Sequence, residues 1–119
     1  MHTEEYLKKQ GVDISSALEL LGDLETYDDI LQEFYDNIED RRNKLKTFLN
    51  DSDMNNYEIE VHALKSDSKY LGFTKLADMA LEHQNRSHDG DVEYISGHFD
   101  ELDKEIVLIV DIVKKYLEG

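Results

Sequence analysis

Residues 57–72 read Tyr57-Glu58-Ile59-Glu60-Val61-His62-Ala63-Leu64-Lys65-Ser66-Asp67-Ser68-Lys69-Tyr70-Leu71-Gly72, and this stretch decides how the chain folds. Tyr57, Val61, Leu64, Ser68 and Leu71 recur at intervals of three and four residues, the period of a helix that buries one stripe and wets the rest. The pattern predicts a helix that starts near Asp53 and ends at Gly72, a residue type suited to closing a helix.

The same period extends outward on both sides. Upstream lies a turn, Asn50-Asp51-Ser52-Asp53, and before it a long helix is predicted from about Leu24 to Leu49, with Ile30, Leu31, Phe34, Ile38, Leu45, Phe48 and Leu49 on its apolar face. A shorter helix runs from Asp13, a suitable N-cap, to Leu21, with Gly22 as its stop and Ile14, Ala17, Leu18 and Leu21 at helical spacing. A first short helix covers Thr3 to Gln10 and is closed by Gly11. Downstream, Thr74 to His88 forms a helix with Leu76, Ala77, Ala80 and His83 in a row, followed by a turn over Ser87-His88-Asp89-Gly90-Asp91. The last helix runs from about Val92 to Leu117. Its centre, Ile106 to Val113, is apolar nearly all round, which predicts a deeply buried central helix in preference to a docking patch. Proline is absent and glycine occurs six times, as suits long uninterrupted helices. The fold class that follows is all-α: an up-and-down antiparallel four-helix bundle with short additional N-terminal helices, one domain over residues 1–119 with its core over 12–117.

Composition narrows the function. The chain has 119 residues, 28 of them acidic against 13 Lys and Arg, for a formal net charge of −15. A nucleic-acid binder needs the opposite balance to displace counterions from phosphates, and an anionic membrane surface would repel this chain equally. Self-repulsion favours a monomer. No cysteine is present, so disulfides, thiolate nucleophiles and zinc–cysteine sites are excluded. No apolar run reaches the roughly 18–20 residues that span a bilayer. Met1-His2-Thr3-Glu4-Glu5 has neither a basic nor an apolar leader segment, which predicts a cytoplasmic protein.

On the helix quoted above, His62 lies beside the buried stripe. Glu58 at i−4, Lys65 at i+3, Ser66 at i+4 and Lys69 at i+7 share its face, while Glu60 and Asp67 point away. Ile59 and Tyr70 border the row as an apolar rim. Within a strongly acidic protein this row sets a histidine beside two lysines and a small hydroxyl. An exposed imidazole is nucleophilic near pH 7 and can take a phosphoryl group on one nitrogen while the other is held by a hydrogen bond. Two lysines on the same face would compensate the added negative charge. Helix spacing alone is equally compatible with a solvated face carrying an incidental histidine.

The segment from His62 to Gly72 resembles the signature of histidine-containing phosphotransfer (HPt) domains, H-x-L-K-G followed six residues later by a helix-ending G. The upstream stretch Gly22-Asp23-Leu24-Glu25-Thr26-Tyr27, continuing to Leu31-Gln32-Glu33-Phe34, is similar to a second block of that family. Gln84 stands twenty-two residues after His62, where the family places a Gln or Glu on the neighbouring antiparallel helix. The resemblance spans about Val12 to Leu117. It implies that His62 is the phospho-acceptor, that Lys65 stabilises the phosphoryl charge, that Gly72 ends the helix and that Gln84 orients the imidazole. It also implies response-regulator receiver domains, and a hybrid histidine kinase, as partners in a phosphorelay. No cofactor is then expected on this chain, with Mg²⁺ carried by the receiver. One position departs from the pattern: Ser66 stands where the family has Gly, which leaves room for a docking protein but changes the surface it meets.

Two other readings are set against this one. A carboxylate-bridged metal bundle needs a Glu three residues before a histidine on two helices, yet Ile59, Ala80, Asn85 and Ile95 occupy those places, so no metal site is expected. No Gly-rich phosphate loop is present, so the chain should not act as a kinase. The alternative within the same fold is a docking module that binds receivers or kinases without carrying phosphate. Of the remaining histidines, His2 is terminal, His83 is predicted to pack or hydrogen-bond on the inner edge of its helix, His98 to be exposed, and His88 to border the docking face.

Overall fold

A computed structural model describes residues 3–119; Met1 and His2, and with them the reading of the terminal histidine, lie outside the described residues. Six helices follow one another: α1 Glu4–Lys9, α2 Ile14–Leu21, α3 Leu24–Asn50, α4 Met54–Leu71, α5 Thr74–His88 and α6 Val92–Glu118. No strand occurs among the described residues. The four longer helices form a ring in which α4 and α6 each pack against both α3 and α5. Their connections span only two or three residues, which forces neighbours to run antiparallel. α2 lies against α3 and α4, and α1 against α2 and α6.

Acidic side chains start four of the six helices. Asp13, Asp23, Asp53 and Asp91 each accept a hydrogen bond from a backbone N–H three residues on, at 3.2, 2.8, 3.2 and 3.0 Å. A cap of this kind stabilises a helix by about 1 kcal/mol and places a negative charge at the positive end of the helix dipole. The bond from Thr26 also holds the Asp23 carboxyl below the usual carboxylate range.

The core is drawn from every helix, with Tyr27, Tyr57, Tyr116 and Phe73 among its largest fully buried side chains. The stripe Tyr57, Val61, Leu64, Ser68 and Leu71 is buried throughout, as is the row Leu76, Ala77, Ala80 and His83. The buried tyrosines need hydrogen-bond partners. Tyr27 donates to the Leu71 carbonyl at 2.8 Å and Tyr116 to Asp28 at 2.6 Å. Arg42 grips Asp103 of α6 with two bonds of 2.8 and 2.9 Å, and Arg41 reaches Glu60 and Asp67 of α4 at 3.0 and 2.8 Å.

The expectation for the centre of α6 is corrected. Ile106, Ile109, Ile112 and Val113 are buried, but Val107 and Leu108 are 46% and 53% exposed. A helix at one corner of a four-member ring keeps an outer face whatever its composition, and Val107 and Leu108 fall on it.

Candidate functional site

The end of α4 is fixed from three sides. Gly72 adopts a left-handed conformation with φ +86°, and the Phe73 N–H closes the helix onto the Ser68 carbonyl at 2.8 Å. The Asp13 N–H donates to the Gly72 carbonyl at 2.9 Å, and Tyr27 holds the Leu71 carbonyl. With its end tied to α2 and α3 in this way, α4 presents its remaining face in a fixed register to α5.

That register pairs residues across the two helices. His62 Nδ1 lies 3.1 Å from Gln84 Oε1. One turn towards the start of α4, and correspondingly one turn towards the end of α5, His88 Nδ1 lies 2.9 and 3.1 Å from the two carboxylate oxygens of Glu58. A carbonyl oxygen can only accept, so His62 donates through Nδ1. Its Nε2 therefore carries the free lone pair. The His62 side chain is exposed.

The lysines of the row are less alike than their spacing suggests. Lys69 is exposed, whereas Lys65 and Ser66 are half-buried because α5 packs alongside. Lys65 and Lys69 line a shallow groove between the helices with Thr74, Ala77, Asp78 and Leu81. Neither lysine is engaged in an ion pair among the described residues, while Arg41, Arg42, Arg86 and Lys75 all are. Glu60 and Asp67 face α3 and are held by Arg41, away from His62. Ile59 and Tyr70 are 67% and 50% exposed, and Leu81, which the sequence did not single out, adds a third exposed apolar side chain near the groove. The residues Ile59, His62, Lys65, Ser66, Lys69, Tyr70, Gln84 and His88 thus come from two adjacent helices.

The other histidines behave differently. His83 is buried, and its Nδ1 accepts from the Tyr57 hydroxyl at 2.9 Å. Burial, aided by nearby His98, lowers its pKa to about 4, so it is neutral at pH 7. Burial likewise pushes the Tyr57 phenol up, which keeps it a donor. His98 is corrected from exposed to half-buried: it stacks on Tyr94 with ring centres 4.0 Å apart and donates from Nδ1 to the Tyr94 carbonyl at 2.9 Å. The i,i+4 spacing of Tyr94 and His98 was the available signal for that contact. His88, by contrast, is exposed, and the hydrogen bond and charge of Glu58, with Asp89 adding to them, raise its pKa.

No cluster of three or more His, Cys, Asp or Glu side chains able to hold a metal occurs among the described residues, and no described helix is long and apolar enough to cross a membrane. Compared with protein families, residues 29–111 match the model of the Hpt domain, which is more than half of the chain. Searches among curated proteins and among solved structures give no match.

Proposed function

Since this chain belongs to the Hpt domain family, whose members serve in phosphorelay signalling, we propose that it accepts a phosphoryl group on His62 Nε2 and exchanges it with the aspartate of a receiver domain. The observation that carries this reading is the exposed His62 imidazole held through Nδ1 by Gln84 at 3.1 Å, with Nε2 left free. In the accepting direction the Nε2 lone pair attacks the phosphorus of the receiver's aspartyl phosphate. The P–O bond to the aspartate breaks, the carboxylate leaves with that electron pair, and an N–P bond forms. The positive charge that the ring gains is spread to the Nδ1–H, which faces the Gln84 oxygen. Lys65 and Lys69, engaged in no ion pair among the described residues, are the cations available to the phosphoryl oxygens. Ser66, one turn after His62, is small enough to let another domain approach, and Ile59 and Tyr70 would form its apolar contacts. Chemistry of this kind is mostly positioning and charge stabilisation. Mg²⁺ and the reacting carboxylate would come from the receiver.

The test mixes the purified chain with a receiver carrying labelled aspartyl phosphate and Mg²⁺. Label should move to His62 as an acid-labile, base-stable N–P linkage, and His62→Gln should take none. Equal labelling of His62→Gln would overturn the assignment. Binding of the receiver without any transfer would favour a docking role instead. Incubation with ATP alone should leave the chain unlabelled.

A further inference from the structure

Beside the proposed acceptor lies a second paired rung that the phosphotransfer reading does not use. Glu58 precedes His62 by one helical turn and shares its face, so its carboxylate stands near any phosphoryl group on His62. A carboxylate there opposes the incoming negative charge. His88 reaches across from α5 and takes both Glu58 oxygens, at 2.9 and 3.1 Å. The other charges nearby are accounted for. Glu60 and Asp67 are turned to Arg41 on α3, Arg86 is occupied by Glu82 and Asp91, Lys65 and Lys69 lie one and two turns beyond His62 on the side away from Glu58, and Asp89 follows His88 as the C-cap of α5. His88 is 75% exposed and Glu58 29%, so protons reach the pair freely.

We propose that His88 is a positioning and charge-balancing residue for the His62 site: as an imidazolium clasped by Glu58 it cancels the carboxylate next to the phosphorylated ring, and so couples proton uptake at His88 to phosphoryl load at His62. The inference rests on the phosphotransfer reading. Because Glu58 and Asp89 already favour the protonated form of His88, the added phosphoryl charge works in the same direction. Coupling between the two sites is reciprocal, so phosphorylation must tighten proton binding at His88 by the factor by which protonation favours phospho-His62. Exposed charges about one helical turn apart set that factor at roughly threefold.

The experiment uses the full chain and phosphoramidate as a small phosphoryl donor. Phosphorus NMR reports the N–P bond, and proton–nitrogen spectra follow the His88 ring through a pH titration before and after phosphorylation. The expected result is an upward move of the His88 titration midpoint in the phosphorylated chain, smaller in Glu58→Gln, where no carboxylate holds the His88 ring on the α4 side of the site. In transfer from a phosphorylated receiver, His88→Gln should shift the equilibrium about threefold towards the receiver, and the shift should be smaller in the Glu58→Gln background, where there is no bare carboxylate left to oppose the phosphoryl group. A purely structural role for the pair would move neither the midpoint nor that double-mutant comparison. Phosphorylation of His62 with an unchanged His88 titration would overturn the coupling alone. Failure of phosphoramidate and of a phosphorylated receiver alike to label His62 would overturn the phosphotransfer reading and this inference with it.

Discussion

The Asp13 N–H donates to the Gly72 carbonyl at 2.9 Å, and a Cβ built on Gly72 would stand 2.6 Å from the Asp13 carbonyl oxygen. The start of α2 is therefore seated directly on the end of the helix that carries His62, with no room for a side chain between them. Gly72 has φ +86° and Gly90 has φ +73°, but nothing lies within 4 Å of a Cβ at Gly90. Gly90→Ala should cost only the left-handed backbone strain, about 1 kcal/mol, whereas Gly72→Ala adds the collision and should cost at least about 2 kcal/mol. Urea denaturation of the two variants decides this. Equal losses would mean that α2 can move off α4 freely.

The turn between α3 and α4 makes the opposite prediction. Ser52 has φ +53° in a helix ending where the Asp53 N–H returns to the Phe48 carbonyl at 2.8 Å. Gly11, Gly72 and Gly90 stand at the corresponding places after α1, α4 and α5. Ser52→Gly relieves the Cβ strain and gives back part of the gain as unfolded-chain entropy. A net stabilisation of up to about 1 kcal/mol is expected from the chemical denaturation midpoint. A loss of stability would show that the serine makes a compensating contact.

Much of this fold is legible in one helical period. The stripe from Tyr57 to Leu71 and the row from Leu76 to His83 declare their buried faces because each helix has one. α6 does not, since the run from Ile106 to Val113 is apolar on every side and the outward turn of Val107 and Leu108 is set only by its corner position in the ring. Contacts between helices are the least legible. The partners of Tyr27 and Tyr116 lie 44 and 88 residues away, and no local pattern points to them. The pairing of Gln84 with His62 was anticipated through the family resemblance, because one helix carries no information about its register against the next. Glu58 and His88 occupy the adjoining rung of that register, and their direct contact emerges only once α4 and α5 are placed side by side.

Stability should depend on pH through His83. Its folded pKa of about 4 lies below the ordinary histidine value near 6.5, so between these values the unfolded chain binds the extra proton. The contribution is complete above pH 6.5 and is lost as pH falls towards 4, with a total of about 3 kcal/mol. His88 acts with the opposite sign: its pKa is raised, so its contribution is present below the unfolded value and disappears as pH rises through the folded one. Thermal melts of the wild type and His83→Gln from pH 7 to pH 4 separate His83 from the carboxylates common to both. Glutamine keeps an acceptor for the Tyr57 hydroxyl, so the variant should lose less stability over this range. Parallel curves would show that His83 is protonated without penalty.

Gln84 offers the sharpest test of how the imidazole is used. It is half-buried, and its side-chain oxygen is the hydrogen-bond acceptor for His62 Nδ1 at 3.1 Å. In the free protein that bond only selects a tautomer, whereas during transfer it meets a ring acquiring positive charge. A bond to a charged group is worth about 1.5–3 kcal/mol against about 1 for a neutral one. Gln84→Leu should therefore slow phosphoryl transfer to His62 by roughly two- to thirtyfold, the difference between the two bonds, while leaving the melt within about 1 kcal/mol of the wild type. Gln84→Glu keeps an acceptor and adds a charge beside the ring, so it should transfer faster than Gln84→Leu. Single-turnover transfer from a phosphorylated receiver, paired with thermal melts of both variants, separates these effects. If Gln84→Leu transfers at the wild-type rate, the ring is oriented by its own helix, and the contact across to α5 serves packing instead.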